Sequence, residues 1–232
     1  MLAARDGRIA IVRALLVHER VDVNQASSSG GRTALFFACG CGRAAVVALL
    51  LAHARIAVNK GETDQAISPL FAACQEGRVA VVKLLLAHDG ICANQARITD
   101  GATPLYMTCQ QGHAEIIKLL LAHDGIDVNR ARDTGATPLF CACQLGHAGV
   151  VKLLLAHAGI DVNQACADNG RPPLFVACQQ GHTGIVKLLL AHGGIDVNKA
   201  RIDSGATPLF FACYQGRDAT LSSCCWRMVG LM

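Results

Sequence analysis

The chain has 232 residues, 52% of them apolar and only 4% aromatic, with a net charge of +4 and a pI near 8.5. That composition excludes a disordered chain, and it calls for a core of Leu, Val, Ile, Ala and Cys, which suits thin layers of close-packed helices. The basic residues are spread out instead of forming a run, which argues against nucleic acid, and the longest strongly apolar stretch, Ala44 to Ala52, is far short of the roughly 20 residues of a membrane span, so no membrane insertion is expected.

The first segment, MLAARDGRIAIVRALLVH, is amphipathic with three Arg and one Asp, the character of a transit peptide. It nevertheless lines up with CQQGHAEIIKLLLAH further on, and so belongs to a repeat. A leucine recurs at Leu35, Leu70, Leu105, Leu139, Leu174 and Leu209, with spacings of 35, 35, 34, 35 and 35. Periods of this size mean stacked units, each too small to bury its own apolar face and stabilised by its neighbours.

One unit runs from Thr103 to Asn129. Thr103 followed by Pro104 predicts a helix start, a hydroxyl cap and then a proline where the missing N–H is harmless; Ser68-Pro69, Thr137-Pro138 and Thr207-Pro208 repeat it. The helix continues through LYMTCQQ and is expected to stop at Gly112, in the left-handed position that Gly77, Gly146, Gly181 and Gly216 repeat. A second helix, AEIIKLLLAH, puts Ile116, Ile117, Leu119 and Leu120 on one stripe and Lys118 outward, with Gly125 expected to end it in the same way. GIDVNRARDTGA then reads as a hairpin-like finger leading to the next Thr-Pro.

These residues, TPLF-A-C-QGH---VVKLLLAH-GIDVN, resemble the ankyrin repeat from about Leu2 to Gly216. The resemblance implies an all-α repeat solenoid of stacked antiparallel helix pairs with hairpin-like fingers. The array spans 1–216, with units starting near 1, 33, 68, 103, 137, 172 and 207, and a divergent tail follows at 217–232. In the tail, Leu221, Trp226, Met228 and Val229 could fold back as an improvised cap, or the chain could be a fragment of a longer array. The sequence departs from the family by placing Phe71, Tyr106, Phe140, Phe175 and Phe210 where a His is common, so a row of aromatics replaces the usual His–Thr hydrogen bond. Arg20 and Arg55 stand where later units have Gly, at a cost of about 1 kcal/mol each if they are left-handed, so the first two units are expected to be the loosest.

Cys39, Cys74, Cys109, Cys143, Cys178 and Cys213 occupy one column of the first helix. Stacked helices hold equivalent positions about 8–10 Å apart, too far for disulfides, so these are expected to be reduced, buried thiols in an intracellular, cytoplasmic or nuclear, compartment. One thiol per layer cannot converge on a metal, and no cofactor is expected. His18, His53, His88, His123, His157 and His192 close the second helices, where a donor or cation meets orphan carbonyls. Lys83, Lys118, Lys152 and Lys187 form a solvated row on the outer helix. The Asn column is read as making turn hydrogen bonds. Asn129, Asn163 and Asn198 also look like the asparagines at which ankyrin repeats can be hydroxylated.

No GxxxxGK[ST], GxSxG or HExxH occurs, so the chain is read as a non-catalytic protein–protein interaction scaffold, acting as a monomer on another protein. By resemblance, the binding surface is the concave side made by finger tips and first-helix ends. Its candidates are Gln75, Glu76, Gln110, Gln111, Gln144, Leu145, Gln179, Gln180, Tyr214 and Gln215, edged by Arg97, Arg132 and Arg201 in a finger column that Glu62 and Cys166 interrupt. Phe37, Met107, Val176 and Phe211 are expected to show partly in the groove. A Gln-rich groove edged by Arg suits a polar or mildly acidic protein surface or peptide. The alternatives are a module for an anionic surface or nucleic acid, and the ankyrin fragment of a multidomain protein whose activity lies elsewhere.

Overall fold

The computed structural model describes residues 1–214, in which there are thirteen helices and no strand. Gln215, the cap proposed at Gly216 and the tail at 217–232 lie outside the described residues. The fold is an all-α solenoid of stacked helix pairs, and the chain divides into two compact units at Ile126 and Asp127.

The first unit contains α1 (Leu2–Arg5), α2 (Ile9–Leu16), α3 (Ala34–Gly40), α4 (Ala44–Leu51), α5 (Pro69–Gln75), α6 (Val79–Leu86), α7 (Pro104–Gln111) and α8 (Ala114–Leu121). First helices pack on first helices, α1 on α3, α3 on α5 and α5 on α7, while α2, α4, α6 and α8 form the parallel row beside them. The second unit repeats the arrangement with α9 (Pro138–Leu145), α11 (Pro173–Gln180) and α13 (Pro208–Tyr214) in one row and α10 (Ala148–Leu155) and α12 (Thr183–Leu190) in the other. None exceeds eight residues, a length at which an isolated helix does not persist in water, so each depends on burial against its neighbours. That burial comes from one recurring set. Leu70, Leu105, Leu139 and Leu174 in the first helices, and Val82, Ile117, Val151 and Val186 in the second, are all buried.

The helix starts follow the sequence. The hydroxyls of Thr33, Ser68, Thr103 and Thr137 accept the backbone N–H three residues on, at 3.1–3.2 Å, which is the capping bond expected of them. Pro172 replaces the hydroxyl in α11 and makes no such bond. Gly112, Gly146 and Gly181 end their helices left-handed. Gly146 is needed twice over, because its φ is +79° and a Cβ there would lie 2.8 Å from the His182 ring.

The second helices end differently from the sequence expectation. Their caps are Val17, Ala52, Ala87, Ala122, Ala156 and Ala191, all in the right-handed region. Gly125 has a positive φ but lies three residues past its cap, and Gly90, Gly159 and Gly194 have none. Arg20 and Arg55 are likewise not left-handed, so the cost assigned to them does not arise. Their N–H groups, like those of Gly90, Gly159 and Gly194, donate to the Nδ1 of the histidine two residues earlier, at 3.1–3.3 Å. In these five turns the histidine is therefore an acceptor that closes the turn, not a donor to helix carbonyls. The left-handed non-glycine residue is Ala66, at φ 52°, where the other fingers carry Gly31, Gly101, Gly135, Gly170 and Gly205.

Cys39, Cys74, Cys109, Cys143 and Cys178 are buried, Cys213 is exposed, and no disulfide joins the described cysteines. Burial pushes the thiols of Cys39, Cys74 and Cys143 far up from the ordinary cysteine value, with Cys141 adding to the rise at Cys143, so all three stay protonated at neutral pH. No described helix is long and apolar enough to cross a membrane.

Candidate functional site

In α5, α7, α9 and α11 the first helix is buried along most of its length and surfaces at its C-terminal end. There Gln75 closes α5 with Glu76 after it, and Gln110 and Gln111 close α7, all exposed. In the second unit Gln144, Leu145, Gln180 and Tyr214 are exposed and Gln179 is half-buried. Met107 and Val176, expected to show in the groove, are buried, because the helix turns that column into the stack; Phe37 and Phe211 are half-exposed. Gln215 lies outside the described residues.

The fingers are closed loops. Arg97 N–H donates to Ala102 C=O at 2.9 Å and Gly101 N–H to Arg97 C=O at 2.9 Å; Cys166 with Arg171 and Arg201 with Ala206 close the same way at 2.9 and 3.0 Å. Successive fingers are tied by a single backbone bond: Thr63 N–H to Gly30 C=O, Ile98 to Gln65, Ala167 to Thr134 and Ile202 to Asn169.

The asparagines do more than make turns. In the finger bases of Asn24, Asn129, Asn163 and Asn198, the turn bond goes to the aspartate two residues earlier, whose carboxylate accepts the Asn N–H at 2.9–3.1 Å. The amide is then available to reach the next repeat. Asn59 Nδ2 donates to Gly90 C=O at 2.7 Å while its Oδ1 accepts Cys92 N–H at 2.8 Å, and Asn24, Asn129 and Asn163 make the same double clasp.

The arginines expected to edge the groove turn inward. Arg97 donates from Nε and Nη2 to the two carboxylate oxygens of Asp100, at 2.9 and 2.6 Å, and its guanidinium lies 5.4 Å from the centroid of the buried Phe71 ring. Arg201 clasps Asp203 in the same bidentate way, 5.5 Å above Phe175. These bonds hold the Asp203 carboxyl below the usual carboxylate range. Arg132 is half-buried at the same register.

Glu62 and Cys166 interrupt this column in sequence but not in space. Glu62, itself buried, draws Arg32 in at 3.1 Å, placing that guanidinium 5.7 Å over Phe36. Beside Cys166, Arg171 swings over Phe140 at 5.8 Å, held by Asn169 Oδ1 at 2.8 Å and Gln179 Oε1 at 3.0 Å. The aromatic row thus has a ladder of guanidinium groups as its partner, a favourable electrostatic pairing with the ring face. Arg32, Arg171, Asp100 and Asp203 were not singled out from sequence. The signal for the first two was present: Arg32 and Arg171 stand directly before the helix cap, in two fingers that lack arginine at the usual finger position.

Among the described residues no group of three or more His, Cys, Asp or Glu is placed to hold a metal ion. What the surface offers is amide, hydroxyl and aromatic groups on rigid helix ends, which is chemistry for contact. Such a stack, with its helix pairs and clasped fingers, defines a repeat-solenoid interaction module.

A sequence model described as ankyrin repeats (three copies) matches residues 1–96, 90–166 and 163–222, and the chain belongs to the ankyrin-repeat family. Ankyrin repeat domains are generally protein-interaction modules and typically non-catalytic. The human ASB11 ankyrin repeat domain superposes with a TM-score of 0.76 at 27% identity, over 97% of this chain and 95% of that one. The ankyrin repeat domain of Bcl-3, described as a unique member of the IkappaB protein family, superposes with a TM-score of 0.84 at 22% identity, over 97% and 96%. No curated protein sequence gives a significant match.

Proposed function

We propose that the chain is a non-catalytic scaffold that binds a partner protein or peptide through its first-helix ends and fingers, as an intracellular monomer. The observation that supports this reading is the division of α5, α7, α9 and α11 into a buried body and an exposed, mostly polar end. The side chains of Gln75, Glu76, Gln110, Gln111, Gln144, Leu145 and Gln180 are exposed at these ends, within a partner's reach, with Tyr214 and Gln215 continuing the column in sequence. Arg97, Arg132 and Arg201 contribute to the same surface by shaping the fingers, since Arg97 and Arg201 already spend donors on Asp100 and Asp203.

The test is affinity capture from a cell extract with the full chain and two variants of matched helicity. Replacing Gln75, Gln110, Gln144 and Gln180 with Glu is expected to abolish capture. Replacing the outer-helix Lys83, Lys118, Lys152 and Lys187 with Gln is expected to leave it intact. The reverse pattern, or binding that collapses with modest salt, overturns this assignment in favour of an anionic surface.

The hydroxylation proposal for Asn129, Asn163 and Asn198 gains an order from the geometry. Asn129 and Asn163 are half-buried with both amide atoms engaged, whereas Asn198 is exposed. Mass spectrometry of the isolated protein is expected to find added oxygen first at Asn198; none at any of the three removes the proposal.

A further inference from the structure

Four rings of the aromatic row, Phe36, Phe71, Phe140 and Phe175, each carry a guanidinium group at 5.4–5.8 Å. The supplying residue changes: it stands at the finger position in Arg97 and Arg201 and directly before the helix cap in Arg32 and Arg171. The guanidinium nevertheless recurs over the ring, so what is retained is the pairing and not the sequence position. Three of these rings, Phe71, Phe140 and Phe175, are buried beneath it.

Phe210 occupies the same register in α13 and is 59% exposed, with no described cation over it. Its ring stacks on Tyr214, 79% exposed, at 6.1 Å and 12° between planes, so the two form one exposed aromatic surface. Thr207, Leu209 and Cys213 line a shallow hollow with them. For Phe71, Phe140 and Phe175, the guanidinium comes from a later finger. The finger that would serve Phe210 falls after Gly216, where the sequence leaves the repeat.

We propose that the Phe210–Tyr214 face is a docking site for an arginine side chain of a partner protein, which completes the guanidinium–aromatic ladder from outside. The proposal rests on the scaffold reading above and names the chemistry of one contact within it. The occupant is arginine in particular because each internal example pairs a planar fork with the ring while its N–H groups reach an oxygen acceptor. A partner's arginine would meet the ring and keep its donors for the partner or the solvent.

The test uses the full chain with carbon-13-labelled aromatic rings, titrated with hexa-arginine amide and with hexalysine amide as a charge-matched control. Hexa-arginine is expected to shift the Phe210 and Tyr214 ring signals saturably. Phe210→Leu, which keeps an apolar side chain but removes the ring, is expected to weaken that binding about fivefold, as loss of a cation–π contact of about 1 kcal/mol requires. Equal binding of the two peptides, with no response to Phe210→Leu, overturns the proposal. So does binding that appears only after Arg217 and Arg227, which lie outside the described residues, are both changed to Ala, since the occupant would then be the chain's own arginine. Partner capture that persists in Phe210→Leu while the ring shifts are absent removes this inference and leaves the scaffold reading standing.

Discussion

Ile11 and Leu15 of α2 stand at the same register as Ile116 and Leu120 of α8. Yet Ile11 and Leu15 are 45% and 49% exposed, while Ile116 and Leu120 are fully buried. The sequences of the two helices are equally apolar there, so the difference lies in the neighbours. Helix α8 packs against α6 and α7, whereas α2 packs against α1, which is only four residues long, and α4. In a stack of this kind a leucine is a core residue only where another layer lies against it.

The largest effect that would sharpen this contrast is truncation of the two leucines. Leu120→Ala is expected to cost about 2–5 kcal/mol, because it leaves a cavity in a packed layer, and Leu15→Ala about 1 kcal/mol, because half the side chain is already in water. Urea unfolding followed by far-UV circular dichroism measures both, and equal losses would break the comparison. Next come the asparagines. Asn59→Ala removes two hydrogen bonds that clasp adjacent repeats and leaves Gly90 C=O and Cys92 N–H without that partner, an expected loss of about 1–3 kcal/mol; at the exposed Asn198 the same change is expected to cost under about 1 kcal/mol.

Ala66 offers a gain. It alone among the described non-glycine residues is left-handed, at the position where the other fingers have Gly, so Ala66→Gly is expected to stabilise the chain by about 1 kcal/mol. An unchanged or lower urea midpoint would show that the finger has relaxed around the alanine. The smallest effect is electrostatic. Arg201 keeps the folded Asp203 carboxyl below its usual value, so the stability this pair adds is fully present above the ordinary carboxylate range and is lost only as pH falls through the depressed folded value. Protection of the Arg201 side-chain N–H in an NMR acid titration is expected to survive through the ordinary carboxylate range and vanish below it.

Much of the fold was legible because the repeat writes it several times. Thr103, Pro104 and Gly112 specify their helix through local chemistry, a hydroxyl acceptor, a preset φ and a tolerated left-handed turn, and none of these needs knowledge of a distant residue. The end of the second helix was misread for the complementary reason. Gly125 and its counterparts have the composition of a helix stop, but at Arg20, Arg55, Gly90, Gly159 and Gly194 the histidine Nδ1 closes the turn without a left-handed residue. The candidate site was legible by column and not by contact. Gln110 and Gln111 are exposed as expected, whereas Arg97 and Arg201 are committed to Asp100 and Asp203 and lean on rings one repeat away.

The sequence by itself determined the period, the helix starts, the placement of the apolar stripes and membership of the ankyrin-repeat family, because these depend on residue type at fixed short spacing. Only the tertiary structure decided which stripe residues are buried, which amides clasp the next repeat and which arginine covers which ring. Most of those outcomes depend on groups in adjacent repeats that the stack brings into contact, as Glu62 is with Arg32 and Arg97 with Phe71. A column that looks broken at Glu62 and Cys166 is continuous in space at Phe36 and Phe140, and the exposed Phe210 stands out only against that continuity.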